Sequence, residues 1–425
     1  MFFDDLIANQ KQGVVAGIPA ICSAHPWVLR AALRGAHPVL IESTCNQVNQ
    51  YGGYTRQTPK DFVAYVRSIA AENGFPDEDI LLGGDHLGPS VWADEPANNA
   101  MTKAEELVRG YIAAGYQKIH LDASMHLGDD DPAQPLEVEI VAQRTARLAQ
   151  VAEMEYAANQ FPAPRYVIGT EIPPPGGAKQ YEDHVQVSQV SNARQTIEVT
   201  RLAFIQAELA AAWERVIAIV VQPGVEFGDE FVREYRPNEA RLLVQFIEDQ
   251  PSLVFEAHST DYQSQESLRN LVNDHFAILK VGPRLTYAFR QAVFALAQLE
   301  DEMFPADMRS NLLQVIDGVM LRKPQDWQKY YSGSPAEQAF KRKYSLSDRI
   351  RYYWPHPDIH AALQRLLRNL DEKPLPPTLV SQFLPKRLLR TEDSLTSQAF
   401  ILSCITVVLQ DYATACGYSL VDPIV

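Results

Sequence analysis

Cysteine is scarce in this chain: Cys22, Cys45, Cys404 and Cys416 are the only 4 in 425 residues, and none shares a CxxC spacing. That argues against a disulfide framework or a thiolate zinc site, and reduced cytosolic thiols are the natural reading. Positive charge is also in short supply. Lys and Arg number 38 against 53 Asp and Glu, a formal net charge of −15, and no basic run stands out. This argues against nucleic acid and anionic membrane as main partners, though a small anionic substrate needs only a local positive patch. Long apolar stretches are missing too. The opening MFFDDLIANQKQG carries acids early, unlike a signal peptide, and AFILSCITVVL near the end is too short to span a bilayer. A soluble cytoplasmic protein is expected. There is no GxxxxGKS or GxxxxGKT loop and no GxGxxG after a strand, which argues against a P-loop kinase and a dinucleotide fold. No fixed-period repeat or low-complexity tract is present.

What the chain does hold is a series of short, continuously apolar runs: 17–23, 37–43, 80–86, 118–124, 166–172, 215–224, 253–259 and 276–283. Unbroken apolarity suits parallel strands covered on both faces. Helical patterns separate them. TPKDFVAYVRSIAAENG, for example, offers a Thr cap, Pro in the first turn and Gly at the end. Eight strands with intervening helices are the inventory of an α/β protein of the (β/α)8 TIM-barrel type, with an open doubly wound sheet as the structural alternative. Beyond residue 300 only helical patterns follow. The expected organisation is a barrel over 1–300 and a helical extension over 301–425, packed on the barrel or at a subunit interface.

In such a barrel, catalytic groups sit at the carboxyl ends of the strands. Here every run ends in a polar group: His25, Glu42, Asp85 and His86, His120 and Asp122, Glu171, Gln222, Glu256 and His258, and Lys280. Any one could be a turn or cap residue; eight on one rim suggest a site. Histidine with carboxylate and no cysteine suits a divalent ion with an open position for substrate. His120 and Asp122 lie two apart on a strand and point the same way, as do Glu256 and His258. Asp85 and His86 are adjacent, so within a regular strand only one could face the barrel axis; a turn at the strand end would relax this. For an anionic substrate group, Ser259, Thr260, Gly282 and Arg284 follow the last strands, where loops and helix N-termini often bind phosphate. A Ser-Thr helix cap is an equally simple reading of the first two. The segment SLSDRIRYYWPH (345–356), with Arg349 and Arg351, could reach over the site or form an interface, and the interface is slightly favoured.

Taken together, ICSAHPWVL, LIESTCNQVNQYGGYT, GGDHLGP, KIHLDAS, VIGTEIPPPGG, VIAIVVQPGVEF, EAHSTDYQ, FAILKVGP and YSLSDRIRYYWPH resemble the GatZ/KbaZ family, over nearly the whole chain. The resemblance implies a barrel and a divalent metal: zinc first, with magnesium, manganese or nickel as alternatives. By this resemblance His86 becomes a metal ligand and Asp85 the proton-transfer group, with His258 as the later metal histidine and Glu171 or His120 in the third place. Some family members support a separate class II aldolase. Others resemble ketohexose-phosphate 4-epimerases that interconvert tagatose 6-phosphate and fructose 6-phosphate. One chemistry joins the two, because the C4 hydrogen of a 2-ketose is too far from the carbonyl for enolisation, whereas C3–C4 is the aldol bond. A metal on the C2 carbonyl and C3 hydroxyl would stabilise the enediolate left when that bond breaks. A base must also take the C4-hydroxyl proton and return it, which makes Asp85 and one of Glu42, Asp122 or Glu171 the candidates. His25, Gln222, Ser259, Thr260, Lys280, Gly282 and Arg284 remain for substrate and phosphate. The expectation is a metal-dependent ketohexose-phosphate 4-epimerase, forming a homo-oligomer. The alternative is a non-catalytic subunit that stabilises a class II tagatose-1,6-bisphosphate aldolase by binding its catalytic subunit.

Overall fold

Each apolar run becomes a strand. In the computed structural model, which describes residues 2–35, 37–169, 186–383 and 395–418, these are β1 (Ile18–Cys22), β2 (Val39–Thr44), β3 (Ile80–Leu87), β4 (Lys118–Leu121), β5 (Arg165–Ile168), β6 (Val216–Val220), β9 (Val254–Ala257) and β10 (Phe276–Val281). A short antiparallel hairpin, β7 (Glu226–Phe227) with β8 (Val232–Arg233), stands apart. The eight longer strands pair in parallel in the order β1-β10-β9-β6-β5-β4-β3-β2 and close on themselves. The sheet is a (β/α)8 barrel, not an open doubly wound sheet.

Strand alternation stacks the barrel interior in three layers, because residues two apart point to the same face. At the floor, Ile18, Leu40, Leu81, Val254 and Ile278 join one apolar cluster with Phe3, Leu6 and Ile7 of the N-terminal helix Phe2–Lys11, which plugs the barrel from below. Two residues further along the same strands come Glu42, Gly83, Glu256 and Lys280, with Lys118 from β4. Two further again come Asp85 and His258, with His120. Only the floor is apolar.

The outer helices follow from their ends. Helix Pro59–Glu72 opens with a reciprocal box in which Thr58 Oγ1 accepts from the Asp61 N–H and the Asp61 carboxylate accepts from the Thr58 N–H. Such a cap contributes about 0.5–2 kcal/mol. Its stripe of Phe62, Val63, Val66, Ile69 and Ala70 faces the barrel.

The last barrel helix, Pro283–Met303, leads into the helices Leu312–Arg322, Pro335–Tyr344, Pro357–Asp371 and Ser397–Ala415. The last of these lies across barrel helices Pro26–Ala32, Gln265–Asn273 and Pro283–Met303. It buries Phe400, Ile401, Ile405 and Val408, and Tyr412 Oη donates to the Thr260 carbonyl at 2.7 Å. Burying aliphatic side chains of this size stabilises by about 1.5–3 kcal/mol each. At 19 residues, this helix is long and apolar enough to cross a membrane by length and composition, which corrects the reading of AFILSCITVVL as too short. Here one face of it packs on the barrel.

Candidate active site

The adjacency of Asp85 and His86 is resolved by the backbone. Between Gly84 and Leu87 the register of β3 against β4 shifts, and His86 takes a left-handed conformation with φ of 48°. That bulge turns both neighbours toward the barrel mouth, where plain alternation would send one outward. A non-glycine residue held at positive φ costs free energy and is found where surroundings or function demand it. Two glycines make room. A Cβ on Gly83 would come within 2.7 Å of the Glu42 side chain, and one on Gly88 would overlap the Asp122 carbonyl oxygen.

Three imidazoles then form a triangle. Ring centroids lie 5.1 Å apart for His86 and His120, 4.9 Å for His86 and His258, and 5.3 Å for His120 and His258. Each ring is oriented by its own carboxylate. His86 Nδ1 pairs with Asp122 at 2.8 Å, His120 Nδ1 with Asp85 at 2.9 Å and with the His86 backbone N–H at 3.3 Å, and His258 Nε2 with Glu256 at 3.0 Å. Of the second ring nitrogens, His86 Nε2 lies 3.6 Å from an Asp85 oxygen. His120 Nε2 is buried with no partner, and ligand atoms of Asp85, His86, His120 and His258 lie within 4.8 Å of one another. Carboxylate-backed imidazoles with a free nitrogen are the donor set of a metal site. Burial, chiefly, lowers the pKa of His258 to about 3, so it is neutral as a ligand must be.

Beneath the triangle lies a buried ionic layer. Lys118 Nζ reaches Glu42 at 2.6 Å and Glu256 at 2.5 Å, while Lys280 Nζ reaches Glu42 at 2.6 Å and Asp85 at 2.5 Å. Burial opposes ionisation of Asp85, but His86 and Lys280 outweigh it and hold the carboxyl well below its usual range. Burial likewise opposes ionisation of Asp122, and its bond to His86 leaves it at about 2. Burial opposes protonation of His86, but Asp85 and Asp122 raise its pKa. The carboxylates of Glu42, Asp85, Asp122 and Glu256 thus outnumber the ammonium groups of Lys118 and Lys280 and leave negative charge for a bound cation, or a proton on His86, to offset. Buried charge of this kind requires a counter-ion or a shift to the neutral form. The residues fit a divalent metal.

Above the triangle opens a cavity whose wall includes Asp85, His86 and His258. His25, Ser259, Lys280 and Gly282 also face it. Several predicted residues do not. Glu42 lies below, saturated by both lysines and the Cys22 thiol. Asp122 is spent on His86 and on the Ser124 backbone and hydroxyl. Thr260 Oγ1 donates to the Lys280 carbonyl at 2.6 Å, and Gln222 Oε1 accepts from the Gly224 N–H. The Arg284 guanidinium lies outside the cavity over the rings of Tyr262 and Tyr287. Glu171 lies outside the described residues. The segment around Arg351 does reach over the mouth, for Arg351 and Tyr352 line the cavity, which corrects the preference for an interface.

The family model for "D-tagatose-1,6-bisphosphate aldolase subunit GatZ/KbaZ-like" proteins matches residues 3–417. The chain belongs to this family. It is 49% identical over 420 residues to the D-tagatose-1,6-bisphosphate aldolase subunit GatZ of Klebsiella pneumoniae, covering 97% of this chain and 99% of that one. Among solved structures it resembles a probable tagatose 6 phosphate kinase from Sinorhizobium meliloti 1021, with 46% identity, a TM-score of 0.86, and coverage of 94% of this chain and all of that one.

Two residues of this GatZ/KbaZ-like site escaped the sequence reading. Lys118 opens β4 and looks like a polar strand start, yet it is fully buried between two glutamates. The signal was its spacing, two before His120. Asp261 stands in EAHSTDYQ, and its Oδ1 accepts the N–H groups of Gly282 and Arg284 at 3.0 and 2.7 Å. A carboxylate thus sits on the N-terminus of helix Pro283–Met303, where phosphate was expected. Burial raises its pKa to about 6.

Proposed function

We propose that this chain serves as the GatZ-type subunit of a D-tagatose-1,6-bisphosphate aldolase, and that its barrel mouth is a working divalent-metal site for a ketohexose phosphate. Membership of the aldolase-subunit family supports the first part. The observation that carries the second is the triangle of imidazoles, each backed by a carboxylate, with His120 Nε2 buried and unpartnered and ligand atoms of all three, with Asp85, within 4.8 Å of one another. His86, His120 and His258 would hold the metal, with zinc the first candidate for an all-nitrogen set. When bound, it supplies Lewis-acid stabilisation to negative charge developing on the ketose carbonyl and C3 oxygens.

The chain's own residues do the rest. Asp122, Asp85 and Glu256 fix the three rings, so no reorganisation is needed as charge develops. Of the three described carboxylates weighed for proton transfer, Asp85 is the one that lines the cavity, and it is ionised. It takes the C4-hydroxyl proton as the C3–C4 bond breaks and returns it when the bond reforms. Lys280, held by Glu42 and Asp85, keeps the base charged and in place. Glu171 stays the candidate for a second carboxylate. A cytoplasmic homo-oligomer associated with a class II catalytic subunit completes the proposal.

An autonomous 4-epimerase is the second reading, favoured by the ionised Asp85 facing the cavity beside the imidazole triangle. One pair of assays separates them. Purified chain is incubated with zinc and fructose 6-phosphate, alone and then with a class II tagatose-1,6-bisphosphate aldolase catalytic subunit. Tagatose 6-phosphate formed by the chain alone supports the epimerase. No conversion alone, but a gain in rate or lifetime of the added aldolase, supports the subunit. Neither result leaves the proposal without a function.

A further inference from the structure

Several routes to a substrate phosphate are closed in this cavity. The N-terminus of helix Pro283–Met303, the usual place in such barrels, already holds the Asp261 carboxylate on the Gly282 and Arg284 amides. Lys280 is saturated by Glu42 and Asp85. Arg284 points elsewhere. His25 has a buried Nδ1 without a partner, but burial first, and Arg30 second, lower its pKa to about 3, so it can serve a neutral hydroxyl and not an anion.

Arg351 is different. It lines the same cavity from the helical extension, and among the described residues no carboxylate pairs with it. Its nitrogens donate to the carbonyls of Ser347 and Asp348 and, at 2.9 Å, to Tyr352 Oη, all neutral acceptors. The guanidinium carbon lies 4.5 Å from the centre of the Tyr352 ring, which meets Tyr54 edge-on. The strap carrying it is fixed to the barrel before any ligand arrives. Tyr262 Oη donates to the Leu346 carbonyl at 2.5 Å, the Leu346 N–H to the Asp229 carbonyl at 2.9 Å, and Thr286 Oγ1 to Asp348 at 2.6 Å. Arg290 pairs with Asp348 at 3.0 Å. A planar cation held in advance over a cavity, with Asp348 and Asp261 acting on it only from beyond ion-pair distance, is built to take an oxyanion.

We propose that Arg351 binds the phosphate of the substrate, so that the helical extension, and not the loops of the barrel, selects phosphorylated ketohexoses. This rests on the reading of the mouth as a ketohexose-phosphate site. The test is calorimetric binding of D-tagatose 6-phosphate, D-tagatose and inorganic phosphate to the full chain and to Arg351→Gln and Arg351→Lys, with zinc content measured on each. The Gln amide can still donate to the strap carbonyls, so R351Q removes charge with little loss of packing. R351Q should weaken tagatose 6-phosphate and inorganic phosphate by about 10–100-fold and leave free tagatose and zinc unchanged. R351K, which keeps the charge but loses the fork, should fall between. Sugar phosphate binding to both variants as to the parent overturns the proposal. Equal loss of free tagatose, sugar phosphate and zinc in R351Q also overturns it, since that is the pattern of a collapsed strap. Should the parent bind inorganic phosphate through Arg351 but no sugar phosphate, the ketohexose reading fails while the anion site stands.

Discussion

His86 concentrates the cost and the purpose of this site: a left-handed backbone, a ring fixed by Asp122, a second nitrogen 3.6 Å from Asp85, and two imidazole neighbours at 5.1 and 4.9 Å. Weakening the support is therefore informative. Asp122→Asn removes the carboxylate behind His86 and should lower zinc affinity by about 10–100-fold, measured by competition with a chromogenic chelator. Unchanged affinity would remove His86 from the ligand set. Asp85→Asn removes the carboxylate behind His120 as well as the base, so it should weaken zinc by a similar factor of about 10–100 and, at saturating zinc, still cost about 10²–10⁴-fold in turnover. Asp261 offers a test by pH. Its folded pKa, about 6, lies above the ordinary carboxylate value of 3.8, so the folded state binds that proton more tightly. Stability associated with it is present below about pH 4 and lost as pH rises through about 6. Asn at 261 accepts the same two amides without ever charging. The melting temperature of Asp261→Asn relative to the parent should rise from pH 4 to pH 7, and a flat difference would mean that Asp261 is not held protonated.

At the scale of elements, the strand β3 decides the geometry. It places an apolar floor residue, a glycine under Glu42 and the base at the alternate positions Leu81, Gly83 and Asp85, then breaks alternation once to gain the ligand His86. Gly88 permits that break by lying against the β4 backbone. Gly88→Ala should destabilise by about 3 kcal/mol or prevent folding, read by urea denaturation, because overlap with a backbone oxygen cannot be relieved by a rotamer. All eight strands were legible in the sequence, since a continuous apolar run bounded by turns has few other uses in an α/β chain. The ends of strands were legible as chemistry for the same reason: Asp85, His120 and His258 interrupt apolar runs. What was not legible is whatever depends on distance in space. Glu42 and Asp122 look like bases in sequence, but Lys118, Lys280 and Cys22 consume the first and His86 and Ser124 the second. Thr260 and Arg284 look like phosphate ligands until the Lys280 carbonyl and two tyrosine rings claim them. Asp261 looks like a turn residue until two amides converge on it.

Across the whole molecule, a net charge of −15 surrounds a mouth that is meant to receive an anion, so attraction must be local. The extension answers that need by bringing Arg351 over the barrel from some 50 residues past the last barrel helix. The metal should also bind the folded state alone. With free zinc at about 100 times its Kd, the chain gains about 2.7 kcal/mol, visible as a higher melting temperature than in chelator. His258→Ala should show no such gain. The most direct measurement is anomalous diffraction at the zinc edge from crystals of chelator-stripped protein soaked in zinc. One strong peak per chain among the free nitrogens of His86, His120 and His258 is the predicted result. An empty triangle, with zinc bound elsewhere or not at all, would contradict the account.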